Sequence, residues 1–118
     1  MRRVEHMSEE PRTHTLIADD WEALIGIAPI SAERFQIQRA FQGTGAKVIR
    51  LSFAAGQVMR EHSTNAPLIV QLLDGRIDFR IAGETIEMTR GTILHVEPGE
   101  LHELEARADS HVLLTLCA

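Results

Sequence analysis

Residues 68–88 read LIVQLLDGRIDFRIAGETIEM, and this stretch decides the fold class. Arg76, Asp78 and Arg80 alternate with Ile77, Phe79 and Ile81, the period-two pattern of a strand with one wet face and one dry face. The preceding run, Leu68–Leu73, is apolar except for Gln71, as expected of a strand covered on both sides. Turn residues punctuate the stretch at Asp74-Gly75 and Ala82-Gly83. Asp74-Gly75 is the strongest hairpin signal, because a two-residue type I′ turn needs positive φ at both central positions.

The pattern extends in both directions. Strand-like runs cover Glu33–Phe41, Lys47–Phe53, Val58–His62, Leu68–Leu73, Arg76–Ile81, Glu84–Met88, Thr92–Glu97, His102–Arg107 and His111–Cys117. Glycine-containing turns separate most of them, and no helix-length periodic segment interrupts the series. That predicts an antiparallel all-β domain rather than βαβ units. Residues 1–14 are polar and charged and read as a flexible tail. Residues 15–42 form an N-terminal arm, with a short helix capped by Asp19 or Asp20 that runs through Leu24 and ends near Gly26 and Pro29. Trp21 is expected to anchor packing, and the strand Glu33–Phe41 could be exchanged with a partner's sheet. Residues 43–118 form the barrel.

Composition narrows the function. The 118 residues carry a net charge of −5, which argues against nucleic acid and anionic membrane surfaces as partners. No apolar run reaches the roughly 18 residues needed to span a bilayer. One cysteine, Cys117, excludes an internal disulfide, and a cytoplasmic location is the default expectation.

Two short segments carry a family resemblance. The first runs GQVMREHSTNAPL from Gly56 to Leu68 and on to Asp74-Gly75; the second runs GTILHVEPGELH from Gly91 to His102. The leading glycines, His62, the Pro98-Gly99 corner and His102 resemble the two motifs of the cupin superfamily, and the resemblance covers Gly43 to the end of the chain. It implies a small single-domain jelly-roll barrel. It also implies a site inside the barrel at His62 and His102, and the open sheet edges of such a barrel, with the apolar outer face of Leu68–Leu73, lead to the expectation of a homodimer. Cupins with a full metal site present two histidines and a carboxylate in the first motif and one histidine in the second. Here Thr64 stands at the second histidine position and Leu68 (or Pro67) at the carboxylate, so the ligand set is incomplete. His62 and His102 remain as metal ligands for a divalent zinc, iron, nickel or manganese ion, weakly held or absent.

Parity supports part of this assignment. His102, Leu104 and Ala106 alternate with Glu103, Glu105 and Arg107, which puts His102 on the dry face. Parity does not decide His62, whose placement rests on the motif. Gln71, Asn65 and Met59 are candidates for the cavity mouth, and Phe79 for its lining. His95 shares parity with Ile93 and Glu97 and is expected to face outward. The direction of His111 is open, so it is a candidate third ligand. His6 and His14 fall in the tail. The reading that follows is a small-organic-ligand binder with an apolar, histidine-containing cavity (Ile77, Phe79, Ile81, Leu104). The alternative is a metal-dependent oxygenase or isomerase using His62 and His102.

Overall fold

The computed structural model describes residues 13–117. A short helix α1, Trp21–Gly26, precedes nine strands: β1 Gln36–Gly43, β2 Ala46–Phe53, β3 Val58–His62, β4 Leu68–Asp74, β5 Ile77–Ile81, β6 Glu84–Met88, β7 Ile93–Val96, β8 His102–Ala106 and β9 Ser110–Cys117. All nine expected runs are strands. They form a five-stranded sheet in the order β1-β2-β9-β4-β7 and a four-stranded sheet in the order β3-β8-β5-β6. The two sheets face each other as a jelly roll, with every pairing antiparallel. β1 pairs with β2 of its own chain, so the sheet runs continuously through the expected boundary between arm and barrel at residue 43.

The alternation of each strand fills the space between the sheets. Leu51, Phe53, Leu68, Val70, Leu72, Val96, Val112 and Leu114 project from the first sheet. Met59, Ile77, Phe79, Met88, Leu104 and Ala106 meet them from the second. Each large apolar side chain removed from water in this way contributes about 1.5–3 kcal/mol. Outside the four-stranded sheet, Arg80 bonds Glu103 at 3.0 Å and Glu105 at 2.6 Å, and Arg107 bonds Asp78 at 2.6 Å. That is the wet face read from the alternation of residues 76–81.

Asp74-Gly75 is not a hairpin. β4 and β5 lie in different sheets, and the dipeptide carries the chain across the core. Gly75 has φ +102°, and a Cβ there would run into Ser110 and the Asp109 carbonyl. Glycine is therefore demanded by close backbone approach as well as by handedness. The tight type I′-like turn sits at Ala82-Gly83 instead, with φ +52° and +77°, between the paired residues Ile81 and Glu84.

α1 starts where expected. Asp20 is its N-cap and accepts a hydrogen bond from the Ala23 amide at 2.8 Å, satisfying one of the orphan donors of the first turn. Trp21 is not a buried anchor. It is 45% exposed, and the Arg90 guanidinium stands over its ring at 5.5 Å. None of the helix residues is fully buried, because α1 lies on the outer face of the five-stranded sheet rather than in the barrel.

Candidate functional site

His62 and His102 are direct cross-strand partners on β3 and β8. Their ring centroids are 4.5 Å apart with the planes tilted by 60°. A register shift between Met59 and His62 explains how both rings reach the same face. Met59 opposes Leu104 in the core; in an unbroken strand Glu61, not His62, would share its side. The bulge adds one residue to β3 and turns His62 inward. The parity of the sequence could not decide this because the irregularity lies between the two residues being compared.

Both rings are held in the same tautomer. His62 Nδ1 lies 2.9 Å from the Arg60 carbonyl, and His102 Nδ1 lies 2.9 Å from the Glu100 carbonyl. A carbonyl can only accept, so each Nδ1 carries a proton and donates it. When the rings are neutral, both Nε2 atoms are therefore bare acceptors. His102 is almost fully buried and His62 half-buried. Burial, the largest effect, pushes the His102 pKa below its usual value; the hydrogen bond to the Glu100 carbonyl opposes it, and the neighbouring His62 adds a smaller lowering. His102 is accordingly a neutral hydrogen-bond acceptor at neutral pH.

Phe79 stacks on His102 with centroids 5.4 Å apart and planes 11° from parallel. It is fully buried, so it backs the imidazole instead of facing a ligand. The expected apolar cavity of Ile77, Phe79, Ile81 and Leu104 is packed: Ile77, Phe79 and Leu104 belong to the continuous core, and Ile81 packs against it.

The remaining candidates do not join the pair. On β4, Leu68, Val70 and Leu72 are buried while Ile69 and Gln71 alternate with them. Gln71 thus lies on the outer face of the five-stranded sheet. His111 lies on that outer face too, opposite Ser52, and its Nδ1 touches Arg50; it cannot serve as a third ligand. Met59 is core, and Asn65 borders a separate hollow with Lys47 and Leu116. His95 faces outward as expected, 3.7 Å from Glu97. His14 is exposed beside Thr13, and His6 lies outside the described residues.

The side chains present do not fit a tightly held metal. Thr64 Oγ1 donates to the Ala66 carbonyl at 2.9 Å, and Leu68 is a core residue at 1% exposure. Among the described residues no group of three His, Cys, Asp or Glu could hold a metal ion, whereas firm transition-metal sites use three or four protein ligands.

The pair Arg50–His111 was missed by sequence reasoning. The alternation of β2 sets Arg50 on the face opposite Leu51 and Ile49, where an arginine is ordinarily solvated. Nothing local indicates that α1 covers that face.

Comparison with known proteins agrees with this architecture. Residues 49–115 match the family described as AraC-like ligand binding domain. Among solved structures, a conserved protein of unknown function from Streptococcus pyogenes is 21% identical, with TM-score 0.72 over 92% of this chain and 90% of that one. A cupin superfamily protein from Desulfitobacterium hafniense is 15% identical, with TM-score 0.74 over 91% and 93%. An RmlC-like cupin from Desulfovibrio desulfuricans is 24% identical, with TM-score 0.69 over 92% and 97%. At these identities the likeness shows the fold alone. No curated protein matches the sequence.

Proposed function

The chain belongs to the AraC-like ligand binding domain family, and from that premise we propose that it binds a small organic molecule at the His62–His102 pair. One observation carries the reading: two adjacent imidazoles, each with Nδ1 tied to a backbone carbonyl, keep Nε2 as the acceptor whenever the ring is neutral. Such a pair recognises a ligand that donates hydrogen bonds through O–H groups. A phenol or an alcohol fits; a carboxylate anion, which only accepts, finds no donor on neutral His102, whose Nδ1 proton is already given to the Glu100 carbonyl. Buried polar ligand contacts of this kind discriminate strongly, because an analogue lacking the hydroxyl leaves the nitrogen unpaired. Half-buried His62 is the solvent-side partner, and His102, backed by Phe79, is the fixed one.

The same Nδ1 anchoring is found where imidazoles ligate a metal through Nε2, so the test includes a metal arm. Phenol and benzoate are titrated into the protein while the imidazole ¹⁵N resonances are followed, and the purified protein is analysed for metals. The expected result is a shift of the His62 and His102 Nε2 signals with phenol and none with benzoate, lost in His62→Ala. Stoichiometric zinc, iron, nickel or manganese that disappears in the His62→Ala, His102→Ala double variant would favour the metal reading. A folded protein whose Nε2 signals ignore phenol and other O–H donors would overturn the proposal.

A further inference from the structure

On the far side of the five-stranded sheet, Arg50 of β2 and His111 of β9 form a second buried polar cluster, separate from the site above. Arg50 has no exposed surface. Its Nε donates to the Leu24 carbonyl at 2.9 Å, Nη1 to the carbonyls of Leu51 and Val112 at 2.7 and 2.6 Å, and Nη2 to the Ile25 carbonyl at 3.4 Å. The last donor points at His111 Nδ1, 2.6 Å away. All five guanidinium protons are therefore used, and none of the acceptors is a carboxylate. Burial lowers the Arg50 pKa to about 10, which leaves it charged at neutral pH.

Arginine only donates, so His111 Nδ1 must be a lone-pair acceptor with the ring proton on Nε2. That is the opposite tautomer from His62 and His102. Leu24 and Ile25 lie in the last turn of α1, where carbonyls lack intrahelical partners and the helix end is negative. The guanidinium thus fastens the C-terminal turn of α1 to the sheet, and neutral His111 holds the guanidinium in place.

We propose that Arg50 and His111 form an acid-sensitive latch that keeps α1 on the sheet and releases it when His111 takes up a proton. Protonation turns Nδ1 from acceptor to donor and sets two cations against each other in a buried contact. The groups facing His111 are Arg50 and Ser52 on β2, Asp74 at the end of β4 and Asp109 in the turn before β9. Ser52 is already engaged as a donor to the Pro29 carbonyl. Burial, then Arg50, favour the neutral ring, and the two aspartates oppose them less strongly. The pKa of His111 is therefore lowered in the latched state. The stability it lends is fully present above the free-histidine value of about 6.5 and is lost as pH falls below it. Release uncovers Val48 and Leu113, which with Ile17, Trp21 and Leu24 border a hollow of about 450 Å³ between α1 and the sheet.

Trp21 is the single tryptophan and lies in α1, so its emission and anisotropy report on the latch directly. They are followed from about pH 8 to about pH 4.5 beside far-UV circular dichroism and the ¹⁵N titration of His111. Expected are a red shift and a loss of anisotropy below about pH 6.5, coincident with His111 protonation, while the strand signal stays constant. His111→Gln supplies an acceptor that does not titrate and moves the Trp21 transition down by about one pH unit or more; His14→Gln leaves it in place. The proposal is overturned if Trp21 is silent while His111 titrates in the wild-type protein. It is equally overturned if the transition is unmoved in a folded His111→Gln protein, or if it tracks loss of the strand signal.

Discussion

Replacing Phe79 with leucine tests whether packing behind His102 sets the chemistry of the site. Phe79 is fully buried and stacks on the imidazole at 5.4 Å. Truncation to alanine would cost roughly 3–5 kcal/mol, a large share of the 5–15 kcal/mol typical of a domain. Leucine keeps most of the volume, and its expected cost is about 1–2 kcal/mol. With a urea m-value of about 1–3 kcal/mol/M, that moves the midpoint down by roughly 0.3–2 M. The leucine leaves a gap on one face of the imidazole, so part of the desolvation that lowers the His102 pKa is relieved. The pKa should therefore rise toward about 6.5. Native His102 is destabilising only when forced to carry a proton. The wild-type protein thus loses stability from this group as pH falls below about 6.5, and Phe79→Leu should show a shallower loss. Urea melts at several pH values and the ¹⁵N titration of His102 provide both readings. If the midpoint drops while the His102 pKa stays where it was, the stacked ring is not what keeps the imidazole dry, and the reasoning fails.

Two further substitutions probe the frame. Arg50→Met removes the burial penalty of a charge but takes the guanidinium donors away from the Leu24, Leu51 and Val112 carbonyls and His111 Nδ1, while the Ile25 carbonyl keeps the Ala28 amide. Bonds to a charged group are worth about 1.5–3 kcal/mol each, so the lost partners outweigh the relief. A net destabilisation of about 2–4 kcal/mol is expected in urea melts. A neutral or more stable variant would contradict that balance. Gly75→Ala should cost about 2–4 kcal/mol, since it combines positive φ with a Cβ 2.6 Å from Ser110 Cα. Gly83→Ala, with φ +77° but open space around it, should cost only about 1 kcal/mol in the same assay.

Much of the fold was legible because a strand's face is written every second residue. The nine runs, the wet face of β5 and the inward direction of His102 all follow from alternation and from turn residues. The helix cap at Asp20 follows from local chemistry in the same way. Where the reading went astray, the deciding partner was distant in sequence. Asp74-Gly75 has the composition of a hairpin, yet Ser110 and Asp109, more than thirty residues on, draw it into a crossover between sheets. Gln71 stands in an apolar run whose two faces the sequence could not assign to core or exterior. Phe79 was rightly placed inside, but its role as backing to His102 depends on β5 pairing with β8.

The chain's own pattern determined an antiparallel all-β domain, and the resemblance of its two motifs to the cupin superfamily implied a two-sheet barrel with histidines at positions 62 and 102 near neighbouring strand ends. Tertiary structure alone decided that a bulge in β3 turns His62 inward, and that carbonyls of Arg60 and Glu100 choose the tautomer of the pair. It alone decided, too, that α1 buries Arg50 against His111. The physical reason is the range of the interactions. Alternation and turn chemistry act over a few residues, whereas register, burial and protonation depend on which strands and helix meet across the fold.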